Sequence, residues 1–204
     1  MLANLELILE IVDNPLCLLL EGSTGIGKTA IVMEAARRLH KPIIRYNMSS
    51  TTTIANLFGS SVPTRRGGKT VVSFKEGAFT LAFRTGAWLL LDEMNLAPES
   101  VLSSIENAID MGILVISAES GEEQDSGEER RVVEFQRHPN FRMFCTQNPS
   151  SGFYKGRREE QSAAMLSRYA PVTVEKPTDP EFKQIIKETL LRKDAAQGLS
   201  LIHI

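Results

Sequence analysis

The chain has 204 residues, of which 42% are hydrophobic and 24% charged, and its formal net charge is -2. These values fit one soluble globular domain, or one domain and a fragment of a second, with ample material for a core. They exclude the whole-molecule basic footprint of a nucleic-acid-binding domain, and the local basic pairs Arg65-Arg66 and Arg157-Arg158 read as solvated surface.

Leu5, Ile8, Leu9 and Val12 recur at helical spacing, and Pro15 ends that element. The opening MLANLELILE has no basic leader and no small-residue cleavage site, and no stretch approaches the roughly 18 to 20 apolar residues of a membrane span. An intracellular chain without a membrane segment is expected. Cys17 and Cys145 lie inside apolar runs, a reduced intracellular pattern. His40, His138 and His203 lack the spacing of zinc ligands, so no metal-binding histidine is expected.

From there strands and helices alternate. Strands are predicted near 16–20, 43–46, 87–91, 142–146 and 171–174, and helices near 28–39, 77–85, 98–109 and 160–168. Short apolar strands separated by helices imply a parallel sheet covered on both faces. Two segments interrupt the alternation. Residues 59–75, GSSVPTRRGGKTVVSFK, read as an inserted hairpin or loop, and residues 113–135 as two strands joined by a solvated, mobile acidic loop. Beyond Pro177 the stretch DPEFKQIIKETLL is helix-like and opens another unit. The division expected is 1–176 for the α/β domain and 177–204 for the start of a second subdomain.

Four motifs carry chemistry. EGSTGIGKT at 21–29 contains G-x-x-x-x-G-K-[ST] between a predicted strand and a predicted helix. Gly22, Gly25 and Gly27, with Ser23, Thr24 and Ile26 between them, let backbone N–H groups converge on phosphate oxygens where the helix dipole is also positive. Lys28 would reach the β- and γ-phosphates, and the Thr29 hydroxyl would ligate magnesium. WLLLDE at 88–93 supplies a strand ending in two carboxylates, Asp92 to hold magnesium through water and Glu93 to polarise an attacking water.

FRMFCTQNP at 141–149 ends a buried strand with Asn148, at the sheet end where ligands of doubly wound folds bind. A polar amide there can position water or contact the γ-phosphate, although Asn-Pro is also an ordinary turn. MLSRY at 165–169 places Arg168 at the end of the predicted helix. Two roles are open to it: a helix C-terminal cation interacting with the dipole, or an arginine presented to the nucleotide of a neighbouring domain.

Taken in order, EGSTGIGKT, LLLDEMNLAPESVLSSIENAID, HPNFRMFCTQNP and GFYKGRREEQSAAMLSRY resemble an AAA+ module of the dynein-related and MoxR-like branch, with the midasin type the most similar. The resemblance covers about residues 15–176. It implies a P-loop NTPase fold with a five-stranded parallel sheet in the order 5-1-4-3-2, an insertion in the second helix near 59–76, and a hairpin before the Asn148 strand. It implies ATP and Mg2+ as cofactors, Asn148 as sensor 1 and Arg168 as the arginine finger. It also implies neighbouring AAA+ modules in a hexameric ring, from one chain or several, and a protein or ribonucleoprotein client.

A midasin-type module would remodel precursors of the large ribosomal subunit in the nucleus. A MoxR-like one would act as a cytoplasmic chaperone ATPase. A nucleotide-binding module without turnover is the remaining class, and its usual mark, a damaged Lys28 or Glu93, is missing here. Two departures from the family are the long acidic loop at 119–130 and a helical lid cut short soon after Leu191. The truncation implies weak or no activity for the isolated chain.

Overall fold

The computed structural model describes residues 2–12, 17–66, 69–118, 131–148, 168–181, 183 and 187. Five parallel strands form the central sheet: β1 (Cys17–Glu21), β2 (Ile43–Asn47), β5 (Trp88–Asp92), β8 (Arg142–Gln147) and β9 (Tyr169–Thr173). Their order is β2-β5-β8-β1-β9. Counted among the core strands alone this is 5-1-4-3-2, as the family resemblance implied.

Alternation along each strand divides the core into two layers. Leu18 and Leu20 of β1, Trp88 and Leu90 of β5 and Phe144 of β8 face helices α1 (Leu2–Ile11) and α2 (Lys28–Arg38), meeting Leu5, Ile8, Ile31 and Val32. The intervening Leu19, Leu89, Leu91, Met143 and Cys145 face the opposite layer. That layer holds α3 (Ile54–Phe58), α4 (Ala78–Thr85) and α5 (Glu99–Met111). It is stitched by rings, with Phe58 to Phe79 at 4.8 Å and Phe83 to Phe141 at 5.3 Å between centroids. Each fully buried leucine or phenylalanine contributes about 1.5–3 kcal/mol, so both layers are strongly specified.

Both interruptions are hairpins. β3 (Gly59–Arg66) pairs antiparallel with β4 (Lys69–Glu76), and β6 (Ile113–Ala118) with β7 (Arg131–Gln136). The first splits one helical region into α3 and α4. At its base the chain leaves through Gly59 and returns through Gly77, whose N–H donates to the Phe58 carbonyl at 3.0 Å. A Cβ on Gly77 would meet the Leu57 carbonyl and lie 2.8 Å from the Gly59 nitrogen. The Thr80 hydroxyl closes the same junction on the Phe58 carbonyl at 2.5 Å.

Some boundaries differ from those predicted. α3, only five residues long, has no amphipathic period to betray it and is started by Thr53, whose side chain accepts from the Asn56 N–H. The last core strand begins two residues earlier than predicted because Tyr169 pairs with Cys17. Arg168 lies in a turn just before that strand, while the rest of the predicted 160–168 helix lies outside the described residues. The acidic loop at 119–130 and most of 177–204 also lie outside them, although residues 179–181 are helical. Among the described residues, no helix is long and apolar enough to cross a membrane.

The hairpin junction makes a quantitative contrast. Gly77→Ala forces a methyl group onto backbone and should cost about 3 kcal/mol. Gly112→Ala, with φ of +67° but nothing within 4 Å of the new carbon, should cost only about 1 kcal/mol. Urea unfolding of the two variants reads the difference, and equal losses would mean that the junction is not tightly packed.

Candidate nucleotide site

The site grows out of the face that buries α2. Continuing each strand by two residues along its α2-facing side carries Leu90 to Asp92, Phe144 to Thr146 and then Asn148, and Ile43 to Arg45 and then Asn47. Apolar residues lie under the helix, and polar ones emerge at its N-terminus. The loop from β1 enters there. Gly22 passes so close to the Val174 carbonyl that a Cβ would lie 2.6 Å from it.

Gly27 caps α2 in a left-handed conformation, φ 95°, which a residue with a Cβ adopts only with strain. It offers no side chain to the first-turn N–H groups, and the first turn carries no acidic residue. Those amides open into a cleft of about 290 Å³ whose wall includes Thr24, Gly25, Gly27, Lys28 and Thr29. Asp92, Glu93, Thr146 and Asn148 complete it. An uncapped helix start with a converging loop is suited to an anion.

Lys28 is buried at 8% exposure, so its charge needs partners. Its ammonium donates to the Gly22 carbonyl at 2.7 Å, the Ser23 carbonyl at 3.0 Å and Asn148 Oδ1 at 2.7 Å. The loop lysine and the sensor candidate, 120 residues apart in sequence, are therefore in direct contact.

Asp92 is the second hub. Thr29 Oγ1 donates to its carboxylate, lying 3.0 Å from both oxygens. Thr146 donates its hydroxyl to Oδ1. Arg45 donates to Oδ2 from Nε at 3.1 Å and from Nη2 at 2.6 Å. Burial pushes the Asp92 pKa up, but these hydrogen bonds and the Arg45 charge together outweigh it and hold the carboxyl below its ordinary value.

Glu93 follows in a left-handed conformation, φ 57° and ψ 46°, costly for a residue with a side chain. Its N–H donates to Thr146 Oγ1 at 3.1 Å, which holds the turn. The same hydroxyl thus fixes both acidic residues. Asn95, in the short 3₁₀ turn that follows (Met94–Leu96), donates to the Asn148 carbonyl at 3.4 Å. Its buried Oδ1 has no partner among the described residues.

The donor set fits magnesium held jointly with phosphate. A hydroxyl and a carboxylate are hard oxygen ligands that leave most positions to water and phosphate, as that ion requires. Among the described residues, no group of three or more histidine, cysteine or acidic side chains could cage a metal unaided.

All residues from Gly22 to Thr29, together with Asp92, Glu93 and Asn148, lie at this end of the sheet. Arg168 does not. It precedes β9, whose first residue pairs with the first residue of β1, so it sits a strand length, about 16 Å, from the loop that follows β1. There it bonds Asp110 at 2.8 Å and pairs with Glu106 at 3.6 Å, both on α5. Arg45, Thr146 and Asn95 escaped the sequence reading. Extending the strand alternation to the polar ends of FRMFCTQ and IIRYN would have found the first two.

The sequence profile of the family described as AAA domain (dynein-related subfamily) matches residues 17–169. Midasin of Dictyostelium discoideum is 33% identical over 84% of this chain, and midasin of Giardia intestinalis 31% identical over 83%. The chain spans 3% of the length of each. Protein CbbQ of Hydrogenophilus thermoluteolus is 27% identical over 94% of this chain and 64% of its own. The crystal structure of a candidate ATPase from Cytophaga hutchinsonii superposes with a TM-score of 0.64 over 91% of this chain and 49% of that one. Its 17% identity makes it a likeness of fold alone.

Thr146 provides the test of the site's internal order. Thr146→Val keeps the shape but leaves the Glu93 N–H without its acceptor and Asp92 without one of its donors, and should cost about 1–3 kcal/mol at pH 7. Thr146→Ser should restore most of this. The lost bond favoured ionised Asp92, whose folded pKa lies below its unfolded value of about 3.9. The electrostatic part of the deficit is therefore complete above about pH 5 and shrinks as pH falls through the folded pKa. Urea unfolding across that range checks both size and sign.

Proposed function

The chain belongs to the dynein-related subfamily of AAA domains, and on that premise we propose that it binds ATP with Mg2+ and hydrolyses it at a junction with a neighbouring module. The observation that supports this reading is the meeting of Lys28, Thr29, Asp92 and Asn148 at the uncapped start of α2.

In this reading the amides of residues 22–29 and the Lys28 ammonium hold the β- and γ-phosphates. Thr29 and Asp92 are the residues that would hold magnesium, which when bound supplies positive charge against the phosphate oxygens. Glu93, turned out of the strand into the cleft, accepts a proton from the attacking water, and Asn148 orients that water or the terminal phosphate. Arg168 faces away from its own cleft and serves the nucleotide of the next module in a ring. The start of a helical lid after residue 177 would close the base side.

The client we propose is a protein or ribonucleoprotein complex, remodelled as in midasin-type large-subunit maturation. Identities of 33% and 31% to two midasins over more than four fifths of the chain support that choice. A MoxR-like chaperone role is the alternative, favoured by the similarity to CbbQ over 94% of the chain.

Two results are expected. Calorimetry should find ATP binding abolished by Lys28→Ala but kept by Glu93→Gln, with turnover blocked in the latter. Equal ATP affinity of wild type and Lys28→Ala would remove the site. For Arg168, an assembly mixing subunits that carry Lys28→Ala with subunits that carry Arg168→Ala should recover ATPase activity. A finger in trans is worth roughly 10³ to 10⁵ in rate in related phosphoryl transfer. Brisk hydrolysis by dilute monomer, abolished by Arg168→Ala, would instead make the arginine act on its own site.

A further inference from the structure

The Asp92 carboxylate has about four lone-pair positions. Thr146 fills one on Oδ1, Arg45 fills two around Oδ2 with Nε and Nη2, and the Thr29 proton lies between the oxygens. No acceptor position is left for a metal-bound water. Magnesium held through water at Asp92 therefore requires one of these bonds to open.

The four are not equally able to do so. Thr146 is 1% exposed on β8, and its hydroxyl also accepts the Glu93 N–H, so releasing it would unseat the neighbouring acid. Thr29 stands at the metal position itself and keeps its proton toward Asp92 while its oxygen turns to the cation. Arg45 differs on both counts. It rises from the edge strand β2 with half its side chain exposed, and it approaches Asp92 from outside the cleft wall. It is also a cation beside a carboxylate that must attract a second cation.

Resting on the nucleotide reading above, we infer that Arg45 is a positioning residue that latches the Asp92 carboxylate and must swing off Oδ2 before magnesium is held there. The latch keeps a buried carboxylate paired and oriented, at the expense of a higher magnesium requirement. Electrostatic repulsion and direct occupation of Oδ2 act in the same direction. Asn47, whose Oδ1 lies 3.4 Å from Arg45 Nη2, offers the released guanidinium a partner on its own strand.

The test titrates MgCl2 into the chain with mant-ATP, a fluorescent ATP analogue, and compares the half-saturating magnesium concentration. Arg45→Met should lower it about tenfold, the effect of one charge-assisted hydrogen bond, while affinity for mant-ATP in EDTA stays unchanged. Arg45→Lys keeps the charge without the fork and should lower it by a smaller factor. It carries the test if the methionine variant does not fold. An unchanged or raised magnesium requirement in the folded variants overturns the latch, leaving Arg45 as a support only. If wild type and Lys28→Ala bind mant-ATP alike with or without magnesium, the nucleotide reading itself fails, and the latch with it.

Discussion

The structure depends on the two-residue period of its parallel strands. On β2, β5 and β8 the residues that face α2 are apolar where the helix covers them and polar where they run past its start. One geometric rule therefore does two things. It builds the layer of Leu18, Leu20, Trp88, Leu90 and Phe144, and two or four residues later it aims Asp92, Thr146 and Asn148 at the first turn of the same helix. Slipping any of these strands by one residue would reverse both at once, which is why packing and site are specified together.

That coupling explains what could be read from sequence. Gly22 to Thr29 is a contiguous motif whose chemistry depends on local backbone, so it is legible without knowing the fold. Asp92 and Glu93 end a strand that any hydrophobicity scan finds. The order of the strands is another matter, since periodicity cannot say that β8 lies between β1 and β5. That came from a likeness of motifs. Alternation could have picked out Arg45 and Thr146 as polar strand ends, but their significance is a contact with Asp92 across 47 and 54 residues of sequence. An arginine in IIRYN looks like an edge-strand charge until the register sets it two residues short of Asp92.

The inserted hairpins obey a different constraint. β3 and β4 split one helical region but leave its two halves packed together, because entry and exit occur at nearly the same point, where Gly59 and Gly77 let two backbones touch. The sequence announces the turn chemistry of the insertion, but the small residues at its base acquire meaning only when α3 and α4 are seen to pack together.

Arg168 completes the spatial logic. It lies at the opposite end of the sheet from the cleft, yet it is bonded to Glu106 and Asp110, which sit in the last two turns of α5. That helix starts six residues after Glu93, following the 3₁₀ turn that carries Asn95 against Asn148. Thirteen helical residues span about 20 Å, and α5 is anchored in the core along its length by Val101, Leu102, Ile105 and Ala108. A packed helix of this length moves as a body more readily than it bends. The arginine at one end and the acid-bearing turn at the other are therefore tied to a single rigid element. The salt bridges fix where Arg168 stands relative to α5 and the rest of its own sheet.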